Sequence, residues 1–200
     1  MAPPRKHDTD VILDAARALV LGEGPRAASV AAIAAASGAP VGTLYHRFGN
    51  RDGVLGALWL RALERFQRRA LAAADSADPV QAGIAMALAT LEFGRDLPDD
   101  ARLLLGAGPA DLLDSGPDAA FRARRDELNV PLRARLDALA TALTGTGDAR
   151  AVEAVTRAVV DLPYAALRRH APAPPEWLAA DLAAAVRALL TVPNLGVRLD

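Results

Sequence analysis

The chain has no cysteine, so it can hold neither a disulfide framework nor a thiolate metal site. Its three histidines, His7, His46 and His170, are too scattered to assemble a zinc or di-iron centre. Aromatic residues make up only 4% of the 200 residues and β-branched residues rarely follow one another, which removes the usual material of strands. No uncharged apolar run reaches the roughly 18 residues of a membrane span, and the opening MAPPRKHDTD lacks the apolar core of a signal peptide. These absences leave a soluble, cytoplasmic protein with no membrane partner and no cofactor as the expectation.

Alanine and leucine are abundant instead. A 52% hydrophobic content beside 24% charged residues suffices for a sizeable core, and summed propensity favours helix nearly everywhere. The fold class expected is all-α. The net charge of −1 hides an asymmetry: residues 1–73 hold ten Lys+Arg against six Asp+Glu, and the remainder 13 against 18. A basic first part on an acidic body is the pattern of a polyanion-binding head.

A first amphipathic helix is expected from about Asp8 to Leu21, with Val11, Ile12, Ala15, Ala16, Leu19 and Val20 on its apolar stripe, ended by GEGP. A short second helix starts at Ser29 as N-cap and stops at Ser37 and Gly38. A third begins at Pro40, and Asn50 caps a longer fourth, in which Arg61, Arg65, Arg68 and Arg69 lie off the apolar stripe and Glu64 precedes Arg68 by four. Beyond the break DSADP, helices are expected at about 79–95, 98–106, 117–144, 148–170 and 175–191. Their separators include the loose GAGPADLLDSGP, and kinks or breaks are expected at Pro131 and Pro163.

Ala34, Gly38 and Leu44 are spaced as two steeply crossing helices require: a small residue at the crossing, a glycine in the turn and an apolar plug. In this helix-turn-helix arrangement the second helix enters the major groove. Leu44 and Phe48 face inward, leaving Thr43, Tyr45, His46 and Arg47 outward near a helix N-terminus, where hydroxyl, phenol and imidazole groups suit phosphate oxygens. Val41 can offer a base edge only apolar contact, such as with a thymine methyl. The arm Arg5, Lys6 and His7 adds positive charge.

The stretch VGTLYHRFGNRDGVL, with ILDAARALVLGEGPRAASVAAIAAASG before it, resembles the DNA-binding head of the TetR (tetracycline repressor-like) transcriptional regulators over residues 9–56. Gly38, Gly42, Thr43, Leu44, Tyr45, Phe48, Asn50, Arg51, Asp52 and Leu55 fit that family's usual pattern. The chain departs from it at Pro40 and Val41, where serine followed by lysine or arginine is common, and at the acidic Asp8 and Asp10. The resemblance implies that Ser29 and Tyr45 contact phosphate and that Thr43 and His46 touch phosphate or base edges. It also implies that Gly42 admits close backbone approach and that Arg51 clamps a phosphate.

The same resemblance implies an N-terminal three-helix head, residues 1–52, joined by helix four to a ligand-binding and dimerising helical bundle within 53–200. Trp59, Phe66, Met86, Phe93, Phe121 and Tyr164 are candidates to line a pocket for a small apolar or amphipathic effector. The stripes Val152, Val155, Val159, Leu162 and Leu178, Leu182, Val186, Leu189 of the last two helices are candidates for a homodimer interface. No acid, base, nucleophile or phosphate-loop constellation points to an enzyme. The function expected is a ligand-responsive repressor that binds a palindromic double-stranded DNA operator as a dimer and is released by its effector. The alternative is a helical interaction module with a weakly DNA-binding head.

Overall fold

A computed structural model of the chain describes residues 9–171 and 173–191. The arm Arg5–His7 and Asp8 lie outside the described residues. All regular structure among the described residues is helical. The chain divides into two compact units, one made of the residues up to Leu63 together with Arg102–Arg125, the other of Glu64–Ala101 and the described residues from Asp126 onward.

In the first unit, α1 (Thr9–Glu23) buries Ile12, Leu13, Ala16 and Val20. Val11, expected on this stripe, is exposed, because the Ile12, Ala16, Val20 line faces the core and Val11 lies one helical step to its flank. Gly24, at φ 91°, turns the chain into a 3-10 turn, Pro25–Ala27. Helix α2 (Val30–Ser37) follows, its first turn capped by Ser29 Oγ, which accepts the Ala32 N–H at 3.1 Å. Such a cap contributes about 1 kcal/mol. Gly38 takes φ 68°, a left-handed conformation only glycine adopts without strain, and redirects the chain into α3 (Val41–Phe48). The helix starts one residue after Pro40, which stays extended at ψ 139° while its carbonyl accepts the Thr43 N–H at 2.9 Å. Leu44 is 1% exposed and plugs the crossing of α2 and α3.

Helix α4 (Arg51–Ala73) begins at the expected cap, with Asn50 Oδ1 accepting the Gly53 N–H at 2.8 Å. It carries Val54, Leu55, Leu58 and Ala62 into the same core. Arg61 forms ion pairs with Asp10 at 2.6 Å and Asp14 at 2.7 Å, fastening α1 to α4. The second contribution to this unit comes from far along the sequence. The stretch expected as a loose separator contains a short helix, α7 (Pro109–Leu112), which follows α6 (Pro98–Gly106). It is ordered because Leu112 and Leu113 are buried in the head's core and the Asp111 carboxylate accepts the Gly108 N–H at 3.1 Å.

The second unit is organised around α5 (Pro79–Asp96), capped by Asp78 and buried along much of its length. Helix α8 (Ala119–Thr144) does not end at Pro131. After α9 (Ala149–Thr156) the chain makes a π-helical turn, Arg157–Asp161, and continues directly as α10 (Leu162–His170). The wider turn, in which Leu162 N–H reaches the Arg157 carbonyl, accommodates Pro163, whose missing N–H cannot serve an α-helical bond. Helix α11 (Trp177–Thr191) packs along α5 beside α10. Close approach is possible because α5 is rich in small residues: a Cβ on Gly83 would lie 2.6 Å from Leu190 Cδ1, and one on Gly94 would collide with Leu167.

This packing corrects the expected dimer stripes. Val155, Val159, Leu178, Leu182 and Val186 are buried within the chain itself, because the small side chains of α5 let the π-helical turn and α11 settle against it, and α9 packs on α11. Val152 and Leu162 are half-buried, and Leu189 is exposed. Two buried polar side chains of this unit are partnered: the fully buried Asp100 carboxylate pairs with Arg65 at 3.0 Å, and Gln67 donates to Asn129 at 2.6 Å.

Candidate nucleic-acid interface

The start of α3 is exposed on the first unit. Pro40 has no side-chain group to cap this helix, so the first-turn N–H groups at Val41 and Gly42 have no capping side chain. Val41 is 43% and Tyr45 53% exposed, one helical turn apart, and His46 is exposed beside them. Thr43 is half-buried on the same helix. Gly42 carries particular information. Its φ is not left-handed and a Cβ there would meet nothing within 4 Å among the described residues, so none of these requires a glycine. The effect of the missing side chain is an open stretch of backbone at the N-terminus of the exposed helix, where a phosphate would gain from the helix dipole.

Ser29 lies at the exposed N-terminus of α2. Its Oγ accepts the Ala32 N–H, and its hydroxyl proton remains available to donate. Ser29, Val41, Gly42, Thr43, Tyr45 and His46 are thus all carried by α2, α3 and their caps. Arg47, exposed at the end of α3, donates to Thr9 Oγ1 at 2.8 Å.

Arg51 is placed differently. Its guanidinium donates to the carbonyls of Pro25 at 2.5 Å, Ala28 at 3.2 Å and Leu112 at 3.5 Å. It also pairs with Asp114 at 2.9 Å and Asp52 at 3.4 Å, and its side chain is 17% exposed. The guanidinium at this expected phosphate-contacting position is turned toward the protein, where five acceptors converge on its planar fork. Asp52 accepts the N–H groups of Asp114 at 3.0 Å and Ser115 at 2.8 Å. Burial raises the pKa of its carboxyl, but the Ser115 and Asp114 amides, the Ser115 hydroxyl and the Arg51 charge outweigh burial and hold it below the usual aspartate value.

The positive charge of the first part of the chain is largely committed to ion pairs of this kind. Arg61 pairs with Asp10 and Asp14, Arg65 with Asp100, Arg69 with Asp96, and Arg68 with Glu64 as its spacing foretold. The acidic residue Asp10 at the start of α1, a departure from the family pattern, is the partner that Arg61 requires. No sequence signal links the two, since they are 51 residues apart.

The candidate effector-pocket residues fall into two clusters. Trp59 packs on Phe121 in the first unit, with centroids 5.8 Å apart, and donates its indole N–H to Ala107 O at 3.2 Å. Phe66 meets Phe93 edge-to-face at 5.4 Å in the second unit, where Met86 and Phe93 are core residues. Tyr164 is 42% exposed. The split arises because Trp59 and Phe66, though on one helix, lie in different units. Phe121 also lines a cleft of about 390 Å³ in the first unit, together with Phe48, Asp52, Gly56, Leu60 and Leu113.

Residues 12–58, the region that holds the two crossing helices and the exposed face of α3, match the family model of bacterial regulatory proteins, tetR family. This stretch is similar to the DNA-binding head of that family. The likeness in fold extends over nearly the whole chain. A Shewanella sp. PV-4 protein assigned to tetR-family transcription regulators is 21% identical, with TM-score 0.72 over 93% of this chain and 96% of its own. The TetR-family regulator PfmR of Thermus thermophilus is 24% identical, with TM-score 0.67 over 92% and 95%. FadR of Bacillus subtilis, solved in complex with stearoyl-CoA, is 18% identical, with TM-score 0.66 over 92% and 98%. No curated protein matches the sequence. The whole chain therefore has the fold of these transcription regulators. Among the described residues no helix is long and apolar enough to cross a membrane.

Proposed function

We propose that this chain is a DNA-binding transcriptional repressor that occupies a palindromic operator as a homodimer and leaves it when a small effector binds. The observation that carries the reading is the uncapped N-terminus of α3 with its side-chain-free Gly42, flanked by Val41, Thr43, Tyr45 and His46. Backbone amides and hydroxyls in that arrangement suit phosphate, and the first turn of such a helix faces base edges in a major groove. Residues 1–52 are the part we assign to DNA and 53–200 the part we assign to effector and dimer. An apolar or amphipathic effector suits the apolar bundle, and stearoyl-CoA, bound by the Bacillus subtilis relative, is a molecule of that class. A dimer would draw on the surface that α10 and α11 leave open, including Tyr164, Trp177 and Leu189.

Selection of duplexes from a random pool, followed by anisotropy titrations at several salt concentrations, tests the proposal. An enriched palindrome with a spacing of about 34 Å between half-sites, or a multiple of it, is the expected result. Because so many cations are paired internally, the affinity should fall with salt less steeply than for a head whose arginines all face DNA. Absence of any enriched sequence, with binding indifferent to salt, would favour an interaction module with a weakly binding head.

A further inference from the structure

We infer that Arg51 and Asp52 are positioning residues for DNA binding, which hold the entrance of α2 against the Leu112–Ser115 turn, and that Arg51 does not contact phosphate. The inference rests on the DNA-binding reading above. Ala28, whose carbonyl Arg51 holds, immediately precedes Ser29, and Pro25 opens the 3-10 turn leading to it. The same guanidinium holds the Leu112 carbonyl and the Asp114 carboxylate, while Asp52 holds the two following amides, Asp114 N–H and Ser115 N–H. Two adjacent residues at the start of α4 thus join segments about 60 residues away in one direction and about 25 in the other. A phosphate drawing on the fork would compete with acceptors that already use Nε, both protons of Nη1 and one of Nη2.

The arrangement makes DNA affinity depend on Asp114, a residue on neither DNA-reading helix and one whose side chain is 72% exposed. Without the turn, Arg51 loses two of its acceptors, and the carbonyls of Pro25 and Ala28 are held by a less constrained side chain. The Ser29 end of α2 is then less fixed.

Three variants, Arg51→Ala, Arg51→Lys and Asp114→Asn, discriminate positioning from clamping when their operator affinity is measured from 50 to 300 mM KCl. Positioning predicts that Arg51→Ala and Arg51→Lys both weaken binding about tenfold, because an ammonium cannot reach the diverging acceptors of the fork. It predicts a loss of about two- to fivefold for Asp114→Asn, and an unchanged slope of log affinity against log salt in all three. A clamp predicts the opposite pattern. Arg51→Ala would make the slope shallower by about one per protomer, Arg51→Lys would restore it, and Asp114→Asn would be silent. That pattern overturns the inference while leaving the DNA reading intact. Asp114→Asn, an exposed and mild change, serves as the measurement if Arg51→Ala fails to fold. A wild-type protein that binds no duplex sinks the functional reading and this inference with it.

Discussion

Gly42→Ala separates DNA binding from folding in one substitution. Glycine inside a helix is less favourable than alanine by roughly 0.5–1 kcal/mol, because its backbone loses more freedom on folding. Gly42 is the second residue of α3, so the gain should fall near ~0.5 kcal/mol, a rise in melting temperature of about 1–2 °C for a chain of this size. Nothing among the described residues opposes the substitution, since the added Cβ finds no atom of theirs within 4 Å and φ is not left-handed. On DNA the same methyl group would stand between the first-turn amides and a phosphate. Holding the backbone off by even one methyl radius removes a charge-assisted hydrogen bond of about 1.5–3 kcal/mol, or at least about tenfold in affinity for each half-site. Thermal melts followed by circular dichroism and anisotropy titrations on a selected operator measure both quantities. Equal affinity for variant and wild type would refute the argument that the α3 backbone approaches DNA. A fall in melting temperature would refute the claim that the glycine is dispensable to the fold.

Replacing the operator thymine nearest Val41 by deoxyuridine removes one methyl group and should weaken binding about fourfold per half-site, a loss that Val41→Ala largely abolishes; equal titrations on both duplexes would count against apolar readout. Leu44→Ala, which empties the plug between α2 and α3, should destabilise the head by about 2–5 kcal/mol in urea melts. Asp52 has a folded-state pKa below its unfolded value, so its stabilisation is fully present above about pH 4 and lost as pH falls through the folded value. The stability gap between wild type and Asp52→Asn should therefore be constant from pH 7 to about pH 5 and shrink below about pH 4 in melts across that range. Gly83→Ala places a Cβ 2.6 Å from Leu190 Cδ1 and should cost about 1–3 kcal/mol, partly restored in the double variant with Leu190→Ala, as a denaturation cycle would show.

Local chemistry made much of the head legible from sequence. Ser29, Gly38 and Asn50 each act through their own backbone or that of residues two or three positions on, and periodicity places Leu44 on the buried side of an eight-residue helix. The resemblance over residues 9–56 draws on the same local pattern, and the family match covers residues 12–58. The helix boundaries of the second unit followed for a similar reason, because Gly, Pro and Asp punctuate the chain at each of them.

What the sequence left open was where each charge and each apolar face finds its partner. Arg51 matched a phosphate-contacting position by pattern, yet its direction is set by carbonyls of Pro25, Ala28 and Leu112 that only folding assembles. The valines of α9 and the π-helical turn and the leucines of α11 read as unsatisfied apolar stripes, yet α5 receives the turn and α11, and α11 receives α9. Sequence alone determined most of the helical segments, though not α7, and which face of α3 stays polar and open, since capping and periodicity act within a few residues. Tertiary structure alone decided which arginines are internal fasteners, and that a segment far along the chain completes the head's core. Those outcomes depend on contacts between residues distant in sequence, and local pattern carries no record of them.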